Sequence, residues 1–166
     1  ERDTEESLHW TQRAAEQEHP KAQFNMAWFY LNGEIVPEDV SEGMRWLRLS
    51  ANQNSPQAMD VLGHMYDVGQ EIEEDDVEAV RWYRAAAELG YAKAQSNLAG
   101  MYWNGEGVEV DVEKALEWNR KAVEQGDSYG QYNLARMYYL GEGVAEDWVV
   151  ALRLAKLAAD QGLGLA

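Results

Sequence analysis

A chain of 166 residues, 46% of them hydrophobic, can bury one core of ordinary domain size and is too polar on average for a bilayer. Its 30 acidic and 14 basic residues give a formal charge of −16, which repels phosphate backbones and anionic lipid heads and so argues against nucleic acid and membrane surfaces as partners. The absence of cysteine excludes disulfides, thiolate nucleophiles and thiolate metal sites.

No apolar run approaches the ~18 residues of a membrane span, so no membrane insertion is expected. No signal-type start is visible at Glu1, and the compartment is left open.

The first periodic segment covers residues 1–19 and includes Trp10 and Ala15. From Ala22 to Gly33 a second segment sets Ala22, Met26, Phe29 and Tyr30 at spacings of three and four, which predicts a helix. Gly33, three residues after Tyr30, supplies the positive φ that ends it. After an acidic, irregular stretch, Asp39 is the expected N-cap of another helix, with Glu42 at capping-box spacing. That helix runs through Gly43, Met44 and Trp46 to its end near Asn54.

The pattern then restarts every 36 residues without insertion or deletion. The second copy has Ala58, Leu62, Tyr66, Gly69, Asp75 with Glu78, then Ala79, Val80, Trp82 and Gly90. The third has Ala94, Leu98, Tyr102, Gly105, Asp111, Ala115, Leu116, Trp118 and Gly126. The fourth has Gly130, Leu134, Tyr138, Gly141, Asp147, Ala151, Leu152, Leu154 and Gly162, after which Ala166 reopens the small-residue series. Small residues at Ala27, Gly63, Ala99 and Ala135 are expected to let helices approach closely.

No window alternates as a strand does, so the expected fold is all-α. Each repeat is a hairpin of helix A and helix B that cannot bury its apolar stripe alone, and stacked neighbours give a right-handed superhelix. The expected organisation is a single solenoid over residues 1–166. Residues 1–20 form a partial repeat with helix B only, and four repeats follow at 21–56, 57–92, 93–128 and 129–164. Because the pattern is cut within a repeat at both ends, a segment of a longer array is expected.

The strings AQFNMAWFYLNG (Ala22 to Gly33), AQSNLAGMYWNGEGV (Ala94 to Val108) and GQYNLARMYYLGEGV (Gly130 to Val144), with DVEKALEWNRKAVEQG (Asp111 to Gly126), resemble Sel-1-like repeats of the tetratricopeptide superfamily. The resemblance covers nearly the whole chain. It departs at Val61, where Asn25, Asn97 and Asn133 stand in the other copies, and at Ile35 and Glu71, which replace the second loop glycine. It implies a non-catalytic scaffold or adaptor for protein–protein interaction, with no cofactor, that binds a peptide or protein segment in a concave groove.

Residue chemistry points away from catalysis. His9, His19 and His64 have no second ligand at metal spacing. The Gly105–Gly107 and Gly141–Gly143 turns lack the lysine and hydroxyl of a phosphate loop. The acidic run from Glu71 to Asp76 lacks a calcium-loop pattern and reads as a solvated approach to an N-cap. No nucleophile–histidine–carboxylate arrangement is evident. Some Sel-1-like proteins are described as penicillin-binding or β-lactamase-like, but that branch carries paired cysteines, absent here.

In tetratricopeptide arrays the groove is lined by helix A residues that face away from the packed core. The resemblance therefore implies a groove made of Phe24, Trp28 and Leu31, then Asp60, His64 and Asp67, then Trp103 and Asn104, then Tyr132, Arg136 and Tyr139. Aromatic groups in such a face anchor peptides, and Asp60 and Asp67 would favour a partner with basic residues. The competing expectation is that these aromatics pack between neighbouring repeats. For Trp46, Trp82 and Trp118 on helix B, core packing is the favoured reading. A carbohydrate or cell-wall-fragment binder or hydrolase, and a spacer without a ligand, are the alternative functions.

Overall fold

The computed structural model describes residues 2–69 and 72–163, all of them helix or connecting loop. Among these residues the helices are α1 (Arg2–Glu16), α2 (Pro20–Asn32), α3 (Val40–Ala51), α4 (Pro56–Val68), α5 (Asp76–Glu88), α6 (Ala92–Asn104), α7 (Val112–Glu124), α8 (Ser128–Leu140) and α9 (Trp148–Asp160). Helices A (α2, α4, α6, α8) begin 36 residues apart, and so do helices B (α3, α5, α7, α9). Glu71 and Ala166, two positions of the sequence pattern, lie outside the described residues.

The stops and starts are those the sequence calls for. Gly33, Gly69, Gly105 and Gly141 cap the helices A in the left-handed region, with φ between 61° and 78°. Asp39, Asp75 and Asp111 each accept the backbone N–H three residues on, and Asp147 accepts from Val149 and Val150. The expected capping box is not closed: the Asp39 N–H donates to the carbonyl of Tyr30 at 3.0 Å, and the Glu42 carboxylate pairs with Arg45 instead. Glu78 likewise pairs with Arg81. The aspartate amide is already committed to closing the A–B loop, a bond repeated from Asp111 to Tyr102 and from Asp147 to Tyr138.

The contacts fall into two compact units, residues 1–74 and 75–166. In the first, α2 packs on α1 and α3, and α3 on α4. Its core holds Met26, Ala27, Met44, Leu47, Ala51 and Leu62. In the second, each of α5 to α8 packs on the helix that follows it, and the helices A α6 and α8 also touch. Its core is built from Tyr83, Leu98, Ala99, Met101, Leu116 and Met137. The small-residue series is buried at Ala27, Gly63, Ala99 and Ala135.

Buried glutamines tie helices together. Gln23 donates to the Ala15 carbonyl and accepts from Gln53 at 2.8 Å. Gln95 donates to the Ala87 carbonyl and accepts from Gln125 at 2.9 Å. Gln161 donates to Gln131 at 3.0 Å. A second link joins helix B to the next helix A: Arg48 donates to the hydroxyl of Tyr66, and Arg84 to that of Tyr102, both at 3.0 Å. Tyr66 and Tyr102 thus each present a hydroxyl to an arginine, and the Tyr102 ring is buried. Of the helix B tryptophans, Trp46 is buried as expected while Trp82 and Trp118 are half-buried, and Arg45, Arg81 and Lys121 lie over Trp46, Trp82 and Trp118.

Candidate partner-binding site

In the first unit the implied groove residues sit on α2 and α4, in different environments. Trp28 is 50% exposed, while Phe24 is half-buried. Leu31 is half-buried over Gly43 of α3, where a β-carbon would come within 2.6 Å of its Cδ2. Gly43 is therefore a socket that lets α2 and α3 close on each other. His64 is exposed and Asp67 half-buried, but Asp60 is only 2% exposed. This corrects the expectation of a solvated carboxylate at position 60, whose helix face is packed rather than open.

In the second unit Trp103 does not stand free. Its indole N–H donates to Glu142 at 2.6 Å, and the Arg136 guanidinium lies 4.7 Å from the centre of its ring. The same guanidinium lies 5.9 Å from the Tyr132 ring, so Arg136 bridges one aromatic from α6 and another from α8. Asn104 is exposed and donates to Glu106. Tyr139 is 56% exposed and stacks obliquely on Trp148 with ring centres 5.6 Å apart.

Three of these side chains, Tyr132, Arg136 and Tyr139, line an open cleft of about 780 Å³ whose other wall is α9, with Trp148, Val149, Leu152, Arg153 and Lys156. Sequence reading assigned Leu152 to the buried series of Met44, Val80 and Leu116. Those three are 5%, 4% and 9% exposed, but Leu152 is 73% exposed. The residue type is that of the core, but among the described residues no helix covers it. The signal was present in the neighbouring positions, where Val149 replaces Glu113 beside Leu152.

Among the described residues, no group of three histidine, cysteine or acidic side chains is placed to hold a metal ion, and no helix is long and apolar enough to cross a membrane.

Repeated hairpins of one length and one set of caps define a helical repeat protein. The chain belongs to the Sel1 repeat family, whose model matches residues 1–19, 20–55, 56–91, 92–127 and 128–163. Sel1 repeats are generally non-catalytic scaffolds for protein–protein interaction.

Among solved structures, the chain is 37% identical to a protective antigen of uropathogenic Escherichia coli with an SLR fold, over 93% of this chain and 33% of that one, with a TM-score of 0.88. It is 33% identical to a Sel1 repeat protein from Oxalobacter formigenes, over 94% of this chain and 62% of that one, with a TM-score of 0.87. An immunity protein from Pseudomonas aeruginosa is 26% identical over 93% of this chain and 56% of its own, with a TM-score of 0.63. The chain thus spans about a third of the first of these proteins and under two-thirds of the second. A search of curated proteins finds no match.

Proposed function

We propose that the chain acts as a non-catalytic interaction scaffold that receives a segment of a partner protein on the faces of its helices A. The observation that carries this reading is the exposure of Trp28 and Tyr139 on helices whose opposite faces are buried. A rigid aromatic on a fixed helix loses little side-chain entropy on binding, and such residues dominate interface energies. The formal charge of −16, with Asp67 on the same face of α4 as His64, favours basic residues in the partner segment.

The test is the affinity of the partner captured by the intact chain, compared with that of Trp28→Ala and of Tyr139→Ala, with helicity checked by circular dichroism. A loss of about tenfold or more in either variant supports the reading, that being the scale of a single anchoring residue. Unchanged affinity in both overturns it. Binding to a glycan array in place of any protein would move the assignment to carbohydrate recognition.

A further inference from the structure

Along the helices B one basic position recurs. Arg48, Arg84, Arg120 and Lys156 stand 36 residues apart, and at the first place in that series, on α1, stands Gln12. The structure shows twice what the arginine does. Arg48 donates to the hydroxyl of Tyr66, and Arg84 donates to that of Tyr102 with its guanidinium 5.9 Å from the centre of the ring. The ammonium of Lys114 meets the same Tyr102 ring at 5.2 Å. Tyr30 is the equivalent tyrosine on α2, and neither position beside it is cationic. Gln12 replaces the arginine and donates to Glu16 at 3.0 Å, and Glu42 replaces the lysine.

Tyr30 lines a cleft of about 650 Å³ whose walls come from three successive helices, α1, α2 and α3. The lining also carries the exposed carboxylates of Glu16 and Glu18. Arg45, the cation in this lining, is bound to Glu42 at 2.9 Å and lies over the Trp46 ring, so its charge is already met. A guanidinium entering here finds an aromatic face, a hydroxyl acceptor and carboxylates that no cation of the lining neutralises. Its plane stacks on a ring as an ammonium cannot, and the attraction strengthens as the pair leaves water. Trp46 lines the same cleft at 8% exposure, and its indole N–H has no acceptor among the described residues, a donor that a peptide carbonyl would satisfy.

We propose that the α1–α2–α3 cleft receives an arginine side chain from a basic segment of a partner protein. The guanidinium sits on Tyr30 and is held by Glu16, in the place that Arg84 fills at Tyr102. This rests on the scaffold reading, to which it adds a second surface and the partner's residue.

The test uses the nitrogen-15-labelled 166-residue chain and capped alanine pentapeptides with a central arginine, citrulline, lysine or glutamate. Citrulline keeps the shape of arginine without its charge. Saturable shifts are expected at the amides of Gln12 and Glu16 and at the Trp46 indole N–H, identified with Trp46→Phe. The arginine peptide should bind about tenfold tighter than the citrulline peptide, and the glutamate peptide not at all. Gln12→Arg supplies the missing side chain from α1 itself and should weaken the arginine peptide about tenfold. Gln17→Arg adds the same charge at an exposed position outside the lining and should leave affinity within about twofold. If Gln12→Arg fails to fold, Glu16→Gln, at an exposed position, takes its place and should weaken the arginine peptide about threefold.

Equal binding of the arginine and citrulline peptides overturns the proposal, as does a Gln12→Arg variant that binds like the wild type. Equal weakening by Gln17→Arg overturns it in favour of attraction to net charge alone. Arginine amide binding as tightly as the peptide overturns it in favour of a small cation, and a dimer that Gln12→Arg dissociates overturns it in favour of a second copy. Captured-partner affinity that is lost at Trp28→Ala and kept at Gln12→Arg would sink this proposal and leave the scaffold reading standing.

Discussion

The side-chain amide of Gln125 donates to the side-chain oxygen of Gln95 at 2.9 Å, and Gln95 in turn donates to the carbonyl of Ala87. The buried amide thereby joins α6 to the helix before it and to the end of the helix after it. The same pairing is made by Gln23 with Gln53 and by Gln131 with Gln161, whereas the second repeat carries Met59 and Leu89 at those positions.

Removing one partner should cost more than removing both. Gln95→Met leaves the Gln125 amide facing an apolar group and is expected to destabilise by about 1–3 kcal/mol. Gln95→Met combined with Gln125→Leu, which copies the second repeat, should recover about 1 kcal/mol of that loss. A double-mutant cycle by urea unfolding checks it, and strictly additive losses would count against a coupled pair.

Much of this fold is legible in the sequence because its punctuation is chemical. Gly105 must end α6 because the next backbone step is left-handed, and Asp111 must begin α7 because a carboxylate satisfies the open N–H groups. The glutamine pairs were not legible, since a polar residue on an otherwise apolar helix reads as surface until its partner 30 residues away is known. Nor was the bond from Arg84 to Tyr102, whose spacing of 18 residues belongs to a hairpin stack and to no single helix. Leu152 shows a further limit, because side-chain type sets what a residue can bury against while only its neighbours decide whether it is buried.

Two glycines with the same sign of φ should respond differently to alanine. Gly126, at φ 81°, has open space where a β-carbon would lie, so Gly126→Ala should cost only the left-handed strain of about 1–2 kcal/mol. At Gly107, φ 63°, the β-carbon would sit 2.2 Å from the carbonyl oxygen of Asp76. Backbone cannot step aside as a flexible side chain does, so Gly107→Ala should add about 1–3 kcal/mol of overpacking to the same strain. Equal melting temperatures for the two variants would show that the loop at Gly107 yields.

Asp111 gives a pH dependence whose direction is fixed. Its hydrogen bonds from the Lys114 side chain and backbone N–H hold its pKa below the ordinary carboxylate value of 3.8, and the same contact raises Lys114. A depressed folded pKa means stability that is fully present above the unfolded value and is lost as pH falls through the folded one. Asp111→Asn keeps a cap and removes the charge. The stability gap between wild type and Asp111→Asn should therefore be constant near neutrality and narrow below about pH 4. A gap that widens on acidification would contradict the assignment.

The aromatic residues of helices A should separate into those that hold the fold and those that are spare. Trp103 is half-buried, bonded to Glu142 and covered by Arg136, so Trp103→Ala removes packing between α6 and α8 together with a hydrogen bond. A loss of about 2–3 kcal/mol is expected, below the full cost for a buried tryptophan because part of the ring already meets water. Trp28, half in solvent, should change stability by about 1 kcal/mol or less on truncation to alanine. Urea midpoints of the two variants decide the matter. If Trp28→Ala were the more damaging, its ring would belong to the packing of the first unit, and the anchoring role would pass to Tyr139 alone.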